Sequence, residues 1–266
     1  MAIRTTSLIS AVWLALCASG IGAPAAQAGA RTGESADGLV LDASTAWPGR
    51  LGRYVFEVMR DGTPIGMQSI EIRRAGDTLT AVTESQVAVK MLGIVVYRMH
   101  QVMTETFAGQ RLLSVRTETK DGGGLRVAEL TRDGDHWSGR LDKAARAFDC
   151  DCQASAMWHV SSIGKDEIIE ASQARLRQVT VTDLGLENLD LPEGRIKARH
   201  FAVKGEIERE VWYDAAGNLV AAQQMGSDGS LIREKLIADP AAPDDAENRP
   251  SSPLKQGLPA PARSPI

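Results

Sequence analysis

The sequence predicts a mainly β protein: a long antiparallel meander forming a strongly curved sheet or incomplete barrel, with one short helix. Three observations carry this expectation. Turn dipeptides recur at short intervals: Asp61-Gly62, Gly76-Asp77, Gly109-Gln110, Asp121-Gly122, Asp133-Gly134, Gly217-Asn218 and Asp228-Gly229. Such pairs suit hairpin reversals, whose positive φ angles glycine, asparagine and aspartate tolerate best. Between them, apolar and polar residues alternate with the period of two expected of a half-buried strand. No repeat of fixed length emerges, which disfavours a propeller.

In "RYVFEVMR", Tyr54, Phe56 and Val58 point one way and Val55, Glu57 and Met59 the other. In "VVYRMHQVMTETF", Val95, Tyr97, Met99, Met103 and Phe107 share a face that Gln101 and Glu105 interrupt. "RIKARHFAVKG", "EIEREVWYDAAGNLVAAQQ" and "GSLIREKLIA" continue the pattern, for roughly ten to twelve strands in all. Sheets of that length curl or split. The helix candidate is Asp166–Arg175, "DEIIEASQAR", acidic in its first turn and basic in its last; it would sit among the strands as a lid or plug.

The ends of the chain differ from its body. Residues 1–28 hold Arg4, an apolar run from Leu8 to Ala18, and small residues ending in Ala26-Gln27-Ala28. That is the pattern of a cleavable signal peptide, with cleavage expected after Ala28 and a periplasmic destination. Its apolar run is shorter than a membrane span, so the mature chain is expected to carry no transmembrane segment. Leu16 before Cys17 disfavours lipidation of that cysteine. Residues 29–50 read as a flexible N-terminal segment, 51–238 as a single β-rich domain, and 239–266 as a disordered tail holding seven of the eleven prolines. The formal net charge of −4 lacks the basic footprint of a nucleic-acid partner.

"VAVKMLGIVV", Val87–Val96, is almost wholly apolar. It reads either as a strand buried on both sides or as the lining of an apolar cavity, with Gly93 permitting a bend. The cavity reading names Met91, Leu92, Ile94, Val96, Met99 and Met103 as ligand-binding candidates, the methionines being adaptable gap fillers. Cys150 and Cys152 flank Asp151 in "FDCDCQ". In an oxidising compartment they are disulfide candidates, although an extended strand would set their Cα atoms about 6.6 Å apart, near the limit of reach. Free thiols, redox exchange and a metal site that recruits His159 are the alternatives. The sequence holds no catalytic signature of the G-x-S-x-G, H-E-x-x-H or P-loop type. No catalytic residue, metal or cofactor is therefore assigned.

Tyr54–Gly66 ("YVFEVMRDGTPIG"), Val87–Arg98 ("VAVKMLGIVVYR") and Trp212–Val220 ("WYDAAGNLV"), followed by Asp228-Gly229-Ser230, resemble a known family. It is an uncharacterised family of secreted proteobacterial β-rich proteins, known only as a domain of unknown function. It is distantly similar to the curved-sheet periplasmic carriers of the lipoprotein-carrier type. The resemblance implies a periplasmic β domain and transfers no site residue. Together these readings point to non-catalytic binding or carriage of an apolar, lipid-like ligand. An envelope scaffold or assembly factor acting through a protein partner is the alternative, and an enzyme with a scattered site stands behind both.

Overall fold

Hairpin chemistry dominates the computed structural model, which describes residues 47–240. Eight strands leave the middle of the sheet one after another: β1 (Gly52–Arg60), β2 (Thr63–Ala75), β3 (Thr78–Met91), β4 (Ile94–Ala108), β5 (Arg111–Asp121), β6 (Gly124–Asp133), β7 (His136–Leu141) and β8 (Ala144–Asp149). The chain then crosses to the opposite edge. From there it works back through β9 (Gln153–Ala154), β10 (Glu167–Glu170), β11 (Arg175–Leu191), β12 (Gly194–Gly205), β13 (Arg209–Tyr213), β14 (Leu219–Met225) and β15 (Leu231–Ala238).

The result is one 15-stranded sheet that does not close, with β8 and β9 as its edges and β1 beside β15 in its interior. Neighbours pair antiparallel except β9 and β10, which run parallel. The first and last strands meet over Phe56–Leu236 and Val58–Glu234, so the chain's two arms are seamed where they begin and end.

The helix expected over Asp166–Arg175 is absent. Ile168 and Ile169 extend in β10 and pair with Gln153 and Ala154. Ala171–Gln173 makes a single 3-10 turn, and Ala174 ends it in the left-handed region at φ 46°. Two adjacent β-branched residues with a strand within reach outweigh the charge pattern that suggested a helix. Instead of a lid or plug, the segment supplies a strand of the sheet, with Ile168 and Ile169 buried in the core.

Alternation along the strands sends Tyr54, Phe56, Ile70, Ile72, Leu79, Phe107, Leu112 and Leu130 to the concave side. There they meet the crossover, where Cys150, Cys152, Met157, Trp158, Val160, Ile163, Ile168 and Ile169 are buried in the same cluster. Trp47, expected in the loose N-terminal segment, packs its ring 5.2 Å from that of Phe107 and 5.1 Å from that of Trp158. Backbone bonds fasten the crossover to the second arm: Val160 N to Gly217 O at 2.9 Å and Leu219 N to Trp158 O at 3.0 Å. Tyr213 adds its hydroxyl to Met157 O at 2.9 Å. Trp137 Nε1 donates to Cys150 O from the first arm at 3.2 Å.

Above this cluster lies a layer of buried polar residues, then a smaller apolar group of Val58, Val87, Tyr97, Met99 and Ile232. Arg209 and Glu234 anchor the polar layer with an ion pair of 2.8 Å. Gln68 donates to the same carboxylate at 2.9 Å, and Ser85 donates to Gln68 at 2.8 Å. Removing one member of a buried pair leaves an unpaired charge in a low-dielectric setting. Glu234→Ala should therefore cost about 3–5 kcal/mol in denaturant unfolding, with Arg209→Met/Glu234→Leu costing far less. A loss below about 1 kcal/mol in the single variant would show that this layer is solvated rather than buried.

Candidate functional site

The six ligand-binding candidates do not line one cavity. β3 and β4 form a hairpin that outruns its neighbours: the β2 ladder ends at Gly66–Val87, and the β5 ladder begins at His100–Lys120. Met91, Leu92 and Ile94 are 63%, 96% and 70% exposed on its tip, and Val96 is exposed just below. Met99 and Met103 are buried, in the small upper cluster and the main core respectively. Both readings of Val87–Val96 thus fail for its distal half. An apolar run has the same composition whether it faces core or solvent, and only the lengths of neighbouring strands decide.

Cys150 and Cys152 are joined as a disulfide with Cα atoms 5.3 Å apart. They lie closer than an extended strand would place them because β8 stops at Asp149 and the chain bends before Gln153. Asp151 between them receives Arg132 at 2.8 Å and Lys165 at 3.0 Å. Those two cations hold its carboxyl down at about 2. His159 does not join the cysteines as a ligand: its Nδ1 accepts from Ser161 N at 3.2 Å and caps the short 3-10 turn Val160–Ile163. Among the described residues, no cluster of three His, Cys, Asp or Glu side chains is arranged to hold a metal ion.

A ligand-sized cleft opens at the opposite end of the sheet from the β3–β4 tip. It encloses about 450 Å³ between the β11–β12 turn, the β13–β14 turn and the end of β15. Leu191, Pro192, Ile196, Val220, Leu236, Ile237 and three alanines, Ala215, Ala216 and Ala238, make its walls; Arg50, Glu193, Lys197, Asp214 and Asp239 stand among them. Arg50 pairs with Asp239. Asp214 shapes one wall by accepting from the backbone N–H groups of Ala216 at 2.9 Å and Asn218 at 2.8 Å. No histidine, serine or cysteine contributes to the lining. The volume falls in the range of small-molecule sites. What the arrangement offers chemically is apolar burial with charge at the rim.

The cleft was not legible in the sequence because its walls come from four distant segments. One feature of the concave layer was legible. Gln101 and Glu105 interrupt an apolar face, and both are buried in the sheet's interior. Thr83, Thr117 and Glu105 occupy adjoining rows of β3, β4 and β5. Each keeps an oxygen without a hydrogen-bond partner among the described residues. Burial pushes the Glu105 carboxyl up to about 8. The nearby indole N–H of Trp158 opposes the rise only in part.

The chain belongs to a family described as domain of unknown function DUF6134, whose model matches residues 56–237. Its fold is similar to that of a β-barrel-like protein of the DUF1849 domain of unknown function from Brucella abortus. That pair share 14% identity over 70% of this chain and 94% of the other, with a TM-score of 0.53. A DUF1089 family protein from Pseudomonas aeruginosa matches more loosely, at 14% identity over 57% of this chain and 87% of its own, with a TM-score of 0.32. No curated protein matches the chain. The first likeness supports a barrel-like fold common to uncharacterised families. Among the described residues, no helix is long and apolar enough to cross a membrane.

Glu105 gives a pH test of the interior. Below about 4.5 both the folded and unfolded chains hold its proton; between there and about 8 only the folded chain does. Stability from this group is therefore full in acid and is lost as pH rises, by about 1.4 kcal/mol per unit across the window. Glu105→Gln should be more stable than wild type at pH 8 by a margin that shrinks towards pH 5. Urea midpoints of the two proteins at both pH values measure it, and an equal margin at pH 5 and pH 8 would contradict the assignment.

Proposed function

We propose that the protein is a non-catalytic binder or carrier of an apolar, lipid-like small molecule, held in the cleft between the β11–β12 turn and the end of β15. The observation that carries this reading is the cleft itself: about 450 Å³ walled chiefly by aliphatic side chains. Burial of such surface is worth roughly 25 cal/mol per Å² of apolar area, which holds a ligand without covalent chemistry. Lys197 is exposed at the rim and suits an acidic head group on an otherwise apolar molecule. A periplasmic setting is part of this proposal and is supported by the signal-peptide pattern of residues 1–28.

A second reading, an envelope scaffold bound to another protein, draws on β8. It is an edge strand with one side unpaired, and unpaired edges accept added strands.

Ala216→Trp adds a large ring to the cleft wall while leaving the Ala216 N–H bond to Asp214 in place. Titration with a fluorescent fatty acid should show saturable uptake by wild type and a drop of about tenfold or more in affinity for the variant. Native mass spectrometry of protein purified from its host should show a small-molecule adduct. Bare polypeptide together with no fatty-acid uptake would end the carrier reading and leave the edge strand as the working site.

A further inference from the structure

We infer that the β3–β4 hairpin is a membrane-docking finger that inserts its tip into the interfacial region of an anionic lipid bilayer. This inference is independent of the cleft, which lies at the other end of the sheet.

The first observation is a turn residue that breaks the local rule. Leu92 and Gly93 both have positive φ, 52° and 81°, as a tight two-residue hairpin turn requires. A branched apolar side chain is disfavoured in that conformation, which asparagine, aspartate and glycine adopt at lower cost. Two other hairpin turns follow the rule: Asp61 precedes Gly62 between β1 and β2, and Asp142 takes the positive-φ position between β7 and β8; Met157 and Ala174 share the conformation, but both are buried in the core. Leu92 returns nothing to the fold in exchange, since it is 96% exposed. A residue that costs backbone energy and gains no packing in the free protein is placed for contact with something else.

The second observation is reach. Residues 88–99 extend past the last paired residues of both neighbouring strands. At a rise of about 3.3 Å per residue, the turn stands about 15 Å beyond Val87. Met91, Ile94 and Val96 surround Leu92 on that projection. A projection of this height lets its apolar tip reach the depth of about 5–10 Å at which peripheral elements sit in a bilayer.

The third is charge. Between Glu84 and Glu105 the chain has no acidic residue, while Lys90 and Arg98 flank the apolar tip and are exposed. The net charge of the whole chain is negative, so this is a local inversion. Cations just behind an apolar tip fit the phosphate plane of anionic lipids, with acyl chains receiving the tip.

The test uses the mature chain and vesicles of phosphatidylglycerol with phosphatidylethanolamine, against vesicles of phosphatidylcholine alone. Wild type should co-sediment with the anionic vesicles, less so with the zwitterionic ones, and less as salt rises. Leu92→Asn installs a preferred turn residue, so its thermal midpoint should equal or exceed that of wild type. Its vesicle partition should fall by roughly tenfold or more. Opposite signs in stability and binding separate docking from a folding role. Wild type left in the supernatant, or equal pelleting of wild type and variant, overturns the inference. So does a dimer that forms without vesicles and disappears in Leu92→Asn, since that would assign the finger to a second copy.

Discussion

The fold depends on one constraint: a chain that starts in the middle of its own sheet must cross from one edge to the other to finish it. Residues between β8 and β10 make that crossing through the concavity. They bring Met157, Trp158, Val160 and Ile163 into the apolar cluster that both arms share. Burying backbone there demands hydrogen-bond partners, which Gly217, Tyr213 and Leu219 supply from the second arm. The crossover is thus both connection and core. A mostly antiparallel 15-stranded sheet, which would otherwise be an open ribbon with one exposed apolar face, becomes a barrel-like body without closing.

This arrangement also divides the molecule along its length. The large apolar cluster and the crossover occupy the end where β1 begins, and the cleft opens beside them. Past the polar layer built on Arg209 and Glu234, the body narrows to a minor cluster and then to a single hairpin carrying Leu92. A solid middle with a cleft at one extremity and an exposed apolar hairpin tip at the other differs from a hollow carrier whose ligand fills the sheet. On the two proposals, ligand and membrane would touch different residues and need not compete.

Much of the strand pattern was legible because period-two alternation and glycine-marked turns are local signals. Asp61-Gly62, Gly76-Asp77 and Gly109-Gln110 all fall between consecutive strands. Where the sequence misled, the deciding interaction was non-local. "DEIIEASQAR" carries helix-like charges, yet Ile168 and Ile169 are claimed by β9. Val87–Val96 reads as buried, yet its outer half has no neighbour because β5 stops at Asp121. Trp47 looks like part of a loose leader, yet its ring meets Phe107 and Trp158. The cleft, assembled from Arg50, the β11–β12 turn, the β13–β14 turn and the end of β15, has no signature in any single stretch. The expected signal peptide lies outside the described residues, as does the expected proline-rich tail beyond Asp239 and Pro240.

Native-state hydrogen exchange followed by NMR addresses the crossover most directly. The amides of Ser155, Val160 and Leu219, which bond Ile169, Gly217 and Trp158, should exchange as slowly as the central β1 amides, through global unfolding alone. Exchange of these three at the rate of exposed turns, with β1 still protected, would show that the crossover opens independently. The sheet would then hold together without it, and the central claim would fail.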